Sequence, residues 1–141
     1  MAFVIWNPAW ETGDPLIDEE HRQLLSQIEQ LFSAIHEKRP GEKIPEVLAF
    51  LAGYVESHFA REEHHMQVSR YPGLDQHKGI HDDMRAQVAR LTEASRSNPA
   101  VVTEDVVNFL SEWLVSHITE EDQRMAKHLL WFDARASQAK P

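Results

Sequence analysis

The side chains in this sequence that are best suited to chemistry are its histidines and carboxylates. The chain holds nine histidines and no cysteine. The lack of cysteine excludes disulfides, zinc sites built on thiolates and cysteine-held iron–sulfur clusters. A bound metal would therefore be held by imidazole and carboxylate groups, which suit iron, manganese, zinc or cobalt better than calcium or magnesium.

Four stretches of the chain each place such groups on one helix face. His58 and Glu62 are four residues apart, and so are His77 and His81. Residues at that spacing share a face because each residue turns a helix by about 100°. All the candidates lie on apolar stripes that should face a core: His21, His58, Glu62, His77, His81, His117 and Asp122.

The elements that must position these groups are four long helices. The chain has 141 residues, which is enough for one domain, and we predict a single domain over residues 1–141. Glycine and proline are sparse and fall at breaks between segments with apolar residues at helical spacing. Short connections make successive helices antiparallel. We therefore predict an all-α fold, an up-down-up-down antiparallel four-helix bundle over residues 18–132, followed by a frayed tail over 133–141.

Residues 1–17 form an N-terminal arm ahead of the first predicted helix. Large apolar side chains are concentrated in this short stretch. We expect the arm to pack against the bundle through Phe3, Ile5, Trp6 and Trp10.

The candidate ligands also fall at one level along such a bundle. In an antiparallel pair of helices, residues equally far from the turn lie side by side. His21 and Glu62 lie 20 and 21 residues on either side of Gly41. The same comparison around Pro72 and Pro99 brings the ligands of the third and fourth helices to that level.

A layer of this composition favours a metal centre over ordinary core packing. A single histidine on an apolar stripe is usually a hydrogen-bonded core residue. Five histidines and two carboxylates in one layer would, without a metal, bury several polar groups at about 1–3 kcal/mol each if unpaired. Seven ligands are too many for one ion and suit two, bridged by the carboxylates. With the histidines divided three and two, the ion with two keeps a position open for a small ligand.

The spacing of the last two ligands departs from regular helix geometry. His117 and Asp122 are five residues apart, so on an ideal helix their side chains diverge by about 140°. We therefore predict irregular backbone hydrogen bonding between these two residues.

The ordered set of motifs resembles the hemerythrin family, and within it the single-domain bacteriohemerythrins. The resemblance covers the chain from Trp6 to about Leu130. It rests on Ile17-Asp18-Glu19-Glu20-His21, on His58-Phe59-x-x-Glu62-Glu63-x-x-Met66, on His77-x-x-x-His81, and on Trp113-Leu114-x-x-His117-Ile118-x-x-x-Asp122. It implies a non-haem di-iron centre that binds dioxygen reversibly, for storage, transport or delivery, without enzymatic turnover.

The resemblance also implies a role for each ligand and a pocket beside them. One iron, coordinatively filled, would be held by the three histidines His77, His81 and His117. The other, held by His21 and His58, would leave a position for dioxygen, while Glu62 and Asp122 bridge the two irons beside an oxo or hydroxo group. The dioxygen pocket would be lined by Phe59, Met84, Trp113, Leu114 and Ile118, although such a stripe at helical spacing is also ordinary core.

Two other functions stay open at this point. The same centre could serve a di-iron oxidoreductase, with peroxidase-like or nitric-oxide-handling activity, or an oxygen or redox sensor module. The first is disfavoured because no general acid or base neighbours the pocket in sequence, and the second because no output domain is present in the 141 residues.

Charge and hydropathy limit the expected partners. The formal net charge is -9, which opposes binding to nucleic acid or to anionic lipid. No apolar run reaches the ~18–20 residues that span a bilayer, and the N-terminus lacks a basic region typical of a signal peptide. We expect a cytoplasmic monomer with dioxygen as its ligand and neither nucleic acid nor membrane as a partner.

The remaining histidines and acids are expected to lie outside the centre. His65 is the best spare candidate, one turn beyond Glu62, whereas His128 lies about 16 Å past His117 and is too distant to coordinate. His36 should decorate the end of the first helix. We expect solvated faces for Glu19, Glu20, Glu63, Glu120 and Glu121, although the last two could help to order the ligands.

Overall fold

The fold consists of α-helices joined by short turns. The computed structural model describes residues 6–36 and 40–138, and within these ranges there is no β-strand. The helices are α1 (Pro15–Ile35), α2 (Pro40–Val68), α3 (Leu74–Ser97), α4 (Glu104–Thr119) and α5 (Glu121–Gln138), with short 3-10 turns at Pro8–Trp10 and Pro99–Val101.

The helices form the predicted antiparallel bundle. α1, α2 and α3 are three of its rods, and α4 and α5 together make the fourth. The all-α prediction is therefore confirmed, with the refinement that the last rod is two helices separated at Glu120. No helix among the described residues has both the length and the apolar character needed to cross a membrane.

The outer boundaries of the helical region differ from the sequence prediction at both ends. α1 begins at Pro15 rather than at residue 18, because the Asp14 side chain accepts hydrogen bonds from the backbone N–H groups of Leu16 (2.9 Å) and Ile17 (3.2 Å). Such an N-cap followed by proline is a strong helix start. α5 continues to Gln138, past the predicted start of the tail, because residues 133–138 contain neither glycine nor proline.

The core is divided into two apolar clusters of unequal size. The larger fills the bundle from Leu24 to Ala34 on α1 and includes Phe59 on α2 and Met84 on α3. The smaller consists of Ile17, Met66 and Met125, with Tyr71, Leu74 and Leu129 packed against it. On every rod the candidate ligands lie in sequence between residues of the two clusters. The ligand layer is therefore closed off by apolar side chains along the bundle axis in both directions.

The N-terminal arm packs against the bundle as predicted. Trp6 and Trp10 are partly buried against the larger cluster, and their rings meet edge to face at 5.6 Å. Phe3 and Ile5 lie outside the described residues. The arm is fastened by buried Asp18, which accepts hydrogen bonds from the Thr12 backbone N–H (2.7 Å) and hydroxyl (2.8 Å).

Removing this fastening should destabilise the protein measurably. The Asp18→Ala variant leaves the N–H and hydroxyl of Thr12 without their acceptor in a buried position, at an expected cost of about 1–3 kcal/mol in the free energy of unfolding. Urea denaturation of wild type and variant at equal metal content measures the difference. The Glu112→Ala substitution on the exposed face of α4 is the control and should stay within about 0.5 kcal/mol of wild type. Equal stabilities for the Asp18→Ala variant and the control would contradict this account of the arm.

Candidate metal centre

The structure brings all seven predicted ligands into one buried layer. No member of the set is more than 3% exposed. α1 contributes His21, α2 contributes His58 and Glu62, and α3 contributes two further histidines. The fourth rod completes the layer with one histidine from α4 and one aspartate from α5. The set is His21, His58, Glu62, His77, His81, His117 and Asp122, and its ligand atoms fall into two groups, each compact enough to surround one metal ion.

The first group contains three histidines and one oxygen from each carboxylate. The Nε2 atom of His117 lies 3.2 Å from Nε2 of His77 and 3.0 Å from Nε2 of His81. Oδ1 of Asp122 lies 3.0 Å from His77 Nε2 and 3.1 Å from His117 Nε2. Oε1 of Glu62 lies 3.1 Å from His81 Nε2. Five donor atoms thus converge on one point.

The second group contains two histidines and the other oxygen of each carboxylate. His21 Nε2 lies 3.2 Å from Glu62 Oε2 and 3.0 Å from Asp122 Oδ2. His58 Nε2 lies 3.1 Å from Glu62 Oε2. Each carboxylate therefore presents one oxygen to each group, which is the arrangement of a bridging ligand, and the second group has one protein donor fewer than the first.

The spacing of the donor atoms matches that of ligands around a metal ion, whereas several of these atoms lack hydrogen-bond partners. With a metal–nitrogen bond of about 2.1 Å, ligands at right angles around one ion stand about 3.0 Å apart, close to the separations in both groups. Among the described residues, six buried side-chain nitrogen or oxygen atoms lack a hydrogen-bond partner, and four of them belong to the facing atoms of this layer. These four are His58 Nε2, Glu62 Oε1, and Oδ1 and Oδ2 of Asp122. Buried polar atoms seldom stay unpartnered, so the layer is chemically incomplete without cations.

The backbone is interrupted between the last two ligands, as the five-residue spacing predicts. α4 ends at Thr119, Glu120 adopts φ -112° and ψ -75°, and α5 begins at Glu121. The break changes the direction in which the following residues project, so that both His117 and Asp122 face the layer. The irregularity takes the form of a break between two helices at Glu120.

Three of the histidines are supported from behind by glutamates. A histidine Nδ1 lies within hydrogen-bond distance of a glutamate oxygen in the pairs His58–Glu20 (3.3 Å), His81–Glu63 (2.8 Å) and His117–Glu121 (3.2 Å). When Nδ1–H donates to the carboxylate, Nε2 keeps its lone pair for the layer.

Each supporting glutamate also contacts an arginine. The pairs are Glu20 with Arg61 at 3.2 Å, Glu63 with Arg85 at 2.9 Å, and Glu121 with Arg124 at 3.5 Å. The expectation that Glu20 and Glu63 are simply solvated is therefore wrong, and the alternative of an ordering role applies to Glu121. The signal that could have found all three is their position next to a ligand in sequence: Glu20 precedes His21, Glu63 follows Glu62, and Glu121 precedes Asp122.

Without a metal, the layer holds protons in the place of cations. Burial alone would lower the pKa of the His58 imidazole, but the negative charge of Glu62 and the hydrogen bond to Glu20 raise that pKa to about 10. Burial would also lower the pKa of the His117 imidazole, but the negative charge of Asp122 is the main cause that outweighs burial and raises that pKa to about 10. Burial would raise the pKa of the Glu62 carboxyl, yet the neighbouring histidines, His58 foremost, hold it well below its ordinary value. The carboxylates thus stay ionised, and the positive charge that balances them can come from protons or from metal ions.

Four of the five predicted pocket residues line one apolar cavity. This cavity of about 20 Å³ is walled by Phe59, Met84, Trp113 and Leu114 together with aliphatic side chains of all four rods. It has room for about one small molecule. Ile118 is buried in the larger cluster but does not line the cavity, because it lies one turn nearer to the ligand layer than Leu114.

Two aromatic rings join this cavity to the ligand layer. The Phe59 ring stacks on His81 with centroids 3.9 Å apart, and Trp113 stacks on His117 at 4.9 Å. The same rings therefore wall the cavity and fix two imidazole planes.

The other histidines lie outside the layer. His64 is exposed, and His65 borders a surface groove near Val68 and Leu129 rather than joining either ligand group. His128 Nε2–H donates to the Ser69 carbonyl oxygen at 2.8 Å. His36, at the end of α1, is exposed.

Comparison with known proteins matches this geometry to one family. Residues 12–129 match the family model of the hemerythrin HHE cation binding domain. A bacteriohemerythrin of Stenotrophomonas maltophilia is 30% identical over 129 residues, covering 89% of this chain and 81% of that protein. A myohemerythrin of Theromyzon tessulatum is 32% identical over 117 residues, covering 83% of this chain and 86% of that protein. A crystal structure of wild-type hemerythrin superimposes with a TM-score of 0.83 at 28% identity, over 89% of this chain and 97% of that one. The chain belongs to the hemerythrin family.

Proposed function

We propose that this protein binds dioxygen reversibly at a non-haem di-iron centre held by the seven side chains of the buried layer. The observation that carries the proposal is the division of the donor atoms into a group of five and a group of four that share two carboxylates. Membership of the hemerythrin family supports iron as the metal. When bound, the two iron ions would supply the electrons for binding dioxygen.

The chain's own residues supply the asymmetry that the function needs. His77, His81 and His117 would hold one ion with an oxygen from each carboxylate. His21 and His58 would hold the other with the remaining two oxygens, Glu62 and Asp122 acting as bridges. Because the second group has one donor fewer, we propose that its ion keeps the position at which dioxygen binds.

The apolar surroundings favour binding over turnover. The cavity beside the layer is walled by apolar and aromatic side chains such as Phe59, Met84, Trp113 and Leu114. Such walls exclude water and leave no acid or base in the cavity to deliver protons. We therefore propose a carrier or store of dioxygen rather than an enzyme.

Repeated oxygenation tests this function. The reduced iron protein, mixed with air, should develop a visible absorption band that disappears under argon and returns on re-exposure, over several cycles. A band that bleaches irreversibly, or multiple turnovers with peroxide plus a reductant or with nitric oxide, would overturn reversible binding in favour of an oxidoreductase.

The glutamates behind the histidines provide a further prediction. The Glu63→Ala variant removes the acceptor that orients His81, and loss of such a partner weakens metal binding by about 10–100-fold. Competition with a chelator measures the change. The matched control is Glu56→Ala, since Glu56 contacts Arg85 at 2.9 Å without contacting a histidine. Equal metal affinity for the two variants would show that Glu63 does not support the centre.

Three expectations from the sequence stay predictions. They are the extent of a single domain over the whole chain, the monomeric state and the cytoplasmic location.

A further inference from the structure

A small polar cavity reaches the ligand layer from the surface. It has a volume of about 30 Å³, and His77 forms part of its wall together with Tyr71, Ile80, Glu121 and Arg124. Arg124 is exposed, whereas His77 is only 3% exposed. The cavity therefore extends from solvent at one end to a proposed metal ligand at the other.

This corner of the bundle is where two interruptions of the helices meet. One is the turn between α2 and α3, which includes Arg70 with the left-handed backbone angle φ 57°. The other is the break at Glu120 between α4 and α5. The cavity lies between the start of α3 and the break at Glu120, and residues from both segments line it.

The Tyr71 ring forms part of the wall of this cavity. It packs directly on Gly73, since a Cβ atom at Gly73 would stand 2.9 Å from Tyr71 Cε2 and 3.1 Å from its hydroxyl oxygen. The ring centroid is 6.5 Å from that of His77. Tyr71 is only half-buried, and its ring packs against the buried residues of the smaller cluster without being one of them.

The donors along the cavity form a sequence from the rim inward. At the rim, Glu121 Oε2 pairs with Arg124 at 3.5 Å, and the Arg124 side chain is 63% exposed. Exposed ion pairs of this kind are weak, so a cation can displace the arginine. Further in, Glu121 Oε1 lies 3.2 Å from His117 Nδ1, and His77 lines the same wall. A hydrated divalent cation could exchange its waters for these donors one at a time.

We propose that this cavity, the Tyr71 port, is the route by which divalent metal ions enter and leave the centre, with the Tyr71 ring as its movable wall. The inference rests on the proposed metal centre and adds the path by which it is loaded. Glu121 is the first carboxylate that an incoming ion meets, and His77 is the first ligand of the layer.

Metal exchange kinetics test the port with Co²⁺ as the probe, followed by absorption during uptake and during release to a chelator. The Tyr71→Ala variant removes this wall and should speed uptake and release by about tenfold each, leaving the dissociation constant unchanged. The Ile80→Trp variant fills the cavity and should slow both by a similar factor. The control Tyr71→Phe keeps the ring and should stay within about twofold of wild type. Opposite effects from the first two variants cannot come from a general loss of stability.

The outcomes separate the port from the metal centre itself. A wild-type chain that takes up fewer than two Co²⁺ ions overturns the centre and with it the port. A wild-type chain that takes up two, with variants that exchange at its rate, overturns the port alone. The port is also overturned if release from wild type accelerates with urea as steeply as global unfolding does, because the ion would then escape by unfolding.

Discussion

The Glu62→Gln variant should lose both metal ions at once. Glu62 directs Oε1 toward the group of five donors and Oε2 toward the group of four. Glutamine has the same size, but its neutral amide cannot supply two anionic oxygens. Loss of a residue that hydrogen-bonds to a metal ligand weakens metal binding by about 10–100-fold. Because Glu62 is itself a proposed ligand, we expect a larger loss of metal affinity. Metal content after desalting, measured by mass spectrometry, gives the result.

Two further variants keep this experiment interpretable. Glu46→Gln changes an exposed glutamate on the same helix and should retain the metal content of wild type. Glu62→Gln also removes the charge that balances His58 and His21, and breaking a buried ion pair costs about 3–5 kcal/mol, so circular dichroism must verify its fold. Glu62→Asp retains the charge on a shorter side chain and should bind fewer than two ions in a folded bundle. Two tightly held ions in either Glu62 variant would contradict its bridging role.

Removing the metal ions should invert the dependence of stability on pH. In the metal-free protein, the pKa values of His58 and His117 are about 10, above the ordinary imidazole value of 6.5. The stabilisation from these protonated imidazoles is complete below pH 6.5 and is lost as pH rises toward 10. The pKa values of Glu62 and Asp122 are lowered, so their contribution is present above the ordinary carboxyl values and is lost in acid. The metal-free bundle should therefore be most stable between about pH 4.5 and 6.5.

Above about pH 6.5, the stability of the metal-bound protein should rise with pH, whereas that of the metal-free protein falls. Metal ions bind unprotonated imidazoles, so loading displaces protons and becomes more favourable as pH rises. Bound metal adds its binding free energy to the stability of the fold. Urea midpoints at about pH 5.5, 7 and 8.5, with and without metal, should diverge progressively toward the alkaline end. Parallel curves would show that the imidazoles do not exchange protons for metal ions.

The ligand layer could be predicted from sequence because it depends on regular features. Helical periodicity fixes which side chains share a face, and turns near Gly41, Pro72 and Pro99 fix which residues lie level. Both rules apply within continuous antiparallel helices, so His21, Glu62 and their partners were found together. The five-residue spacing between His117 and Asp122 also indicated where helical periodicity fails, at the break between α4 and α5.

The supporting glutamates could not be assigned in the same way. Glu20 precedes His21 on α1, but its carboxylate serves His58 on α2, and Glu63 on α2 serves His81 on α3. A residue next to a ligand projects about 100° away from it, toward the seam between two helices. Which neighbour it meets there depends on how the helices cross and on long side-chain rotamers, and neither is encoded in spacing. The helix ends at Pro15 and Gln138 were missed for a related reason, since local capping and propensity extend a helix beyond its buried face.

The number of metal ions per chain tests the central claim most directly. The metal-free protein, loaded with Fe²⁺ under argon and desalted, should retain two iron ions per chain, because the seven donors form two groups joined by Glu62 and Asp122. Retention of a single ion, or of none, would contradict a paired centre between the four rods.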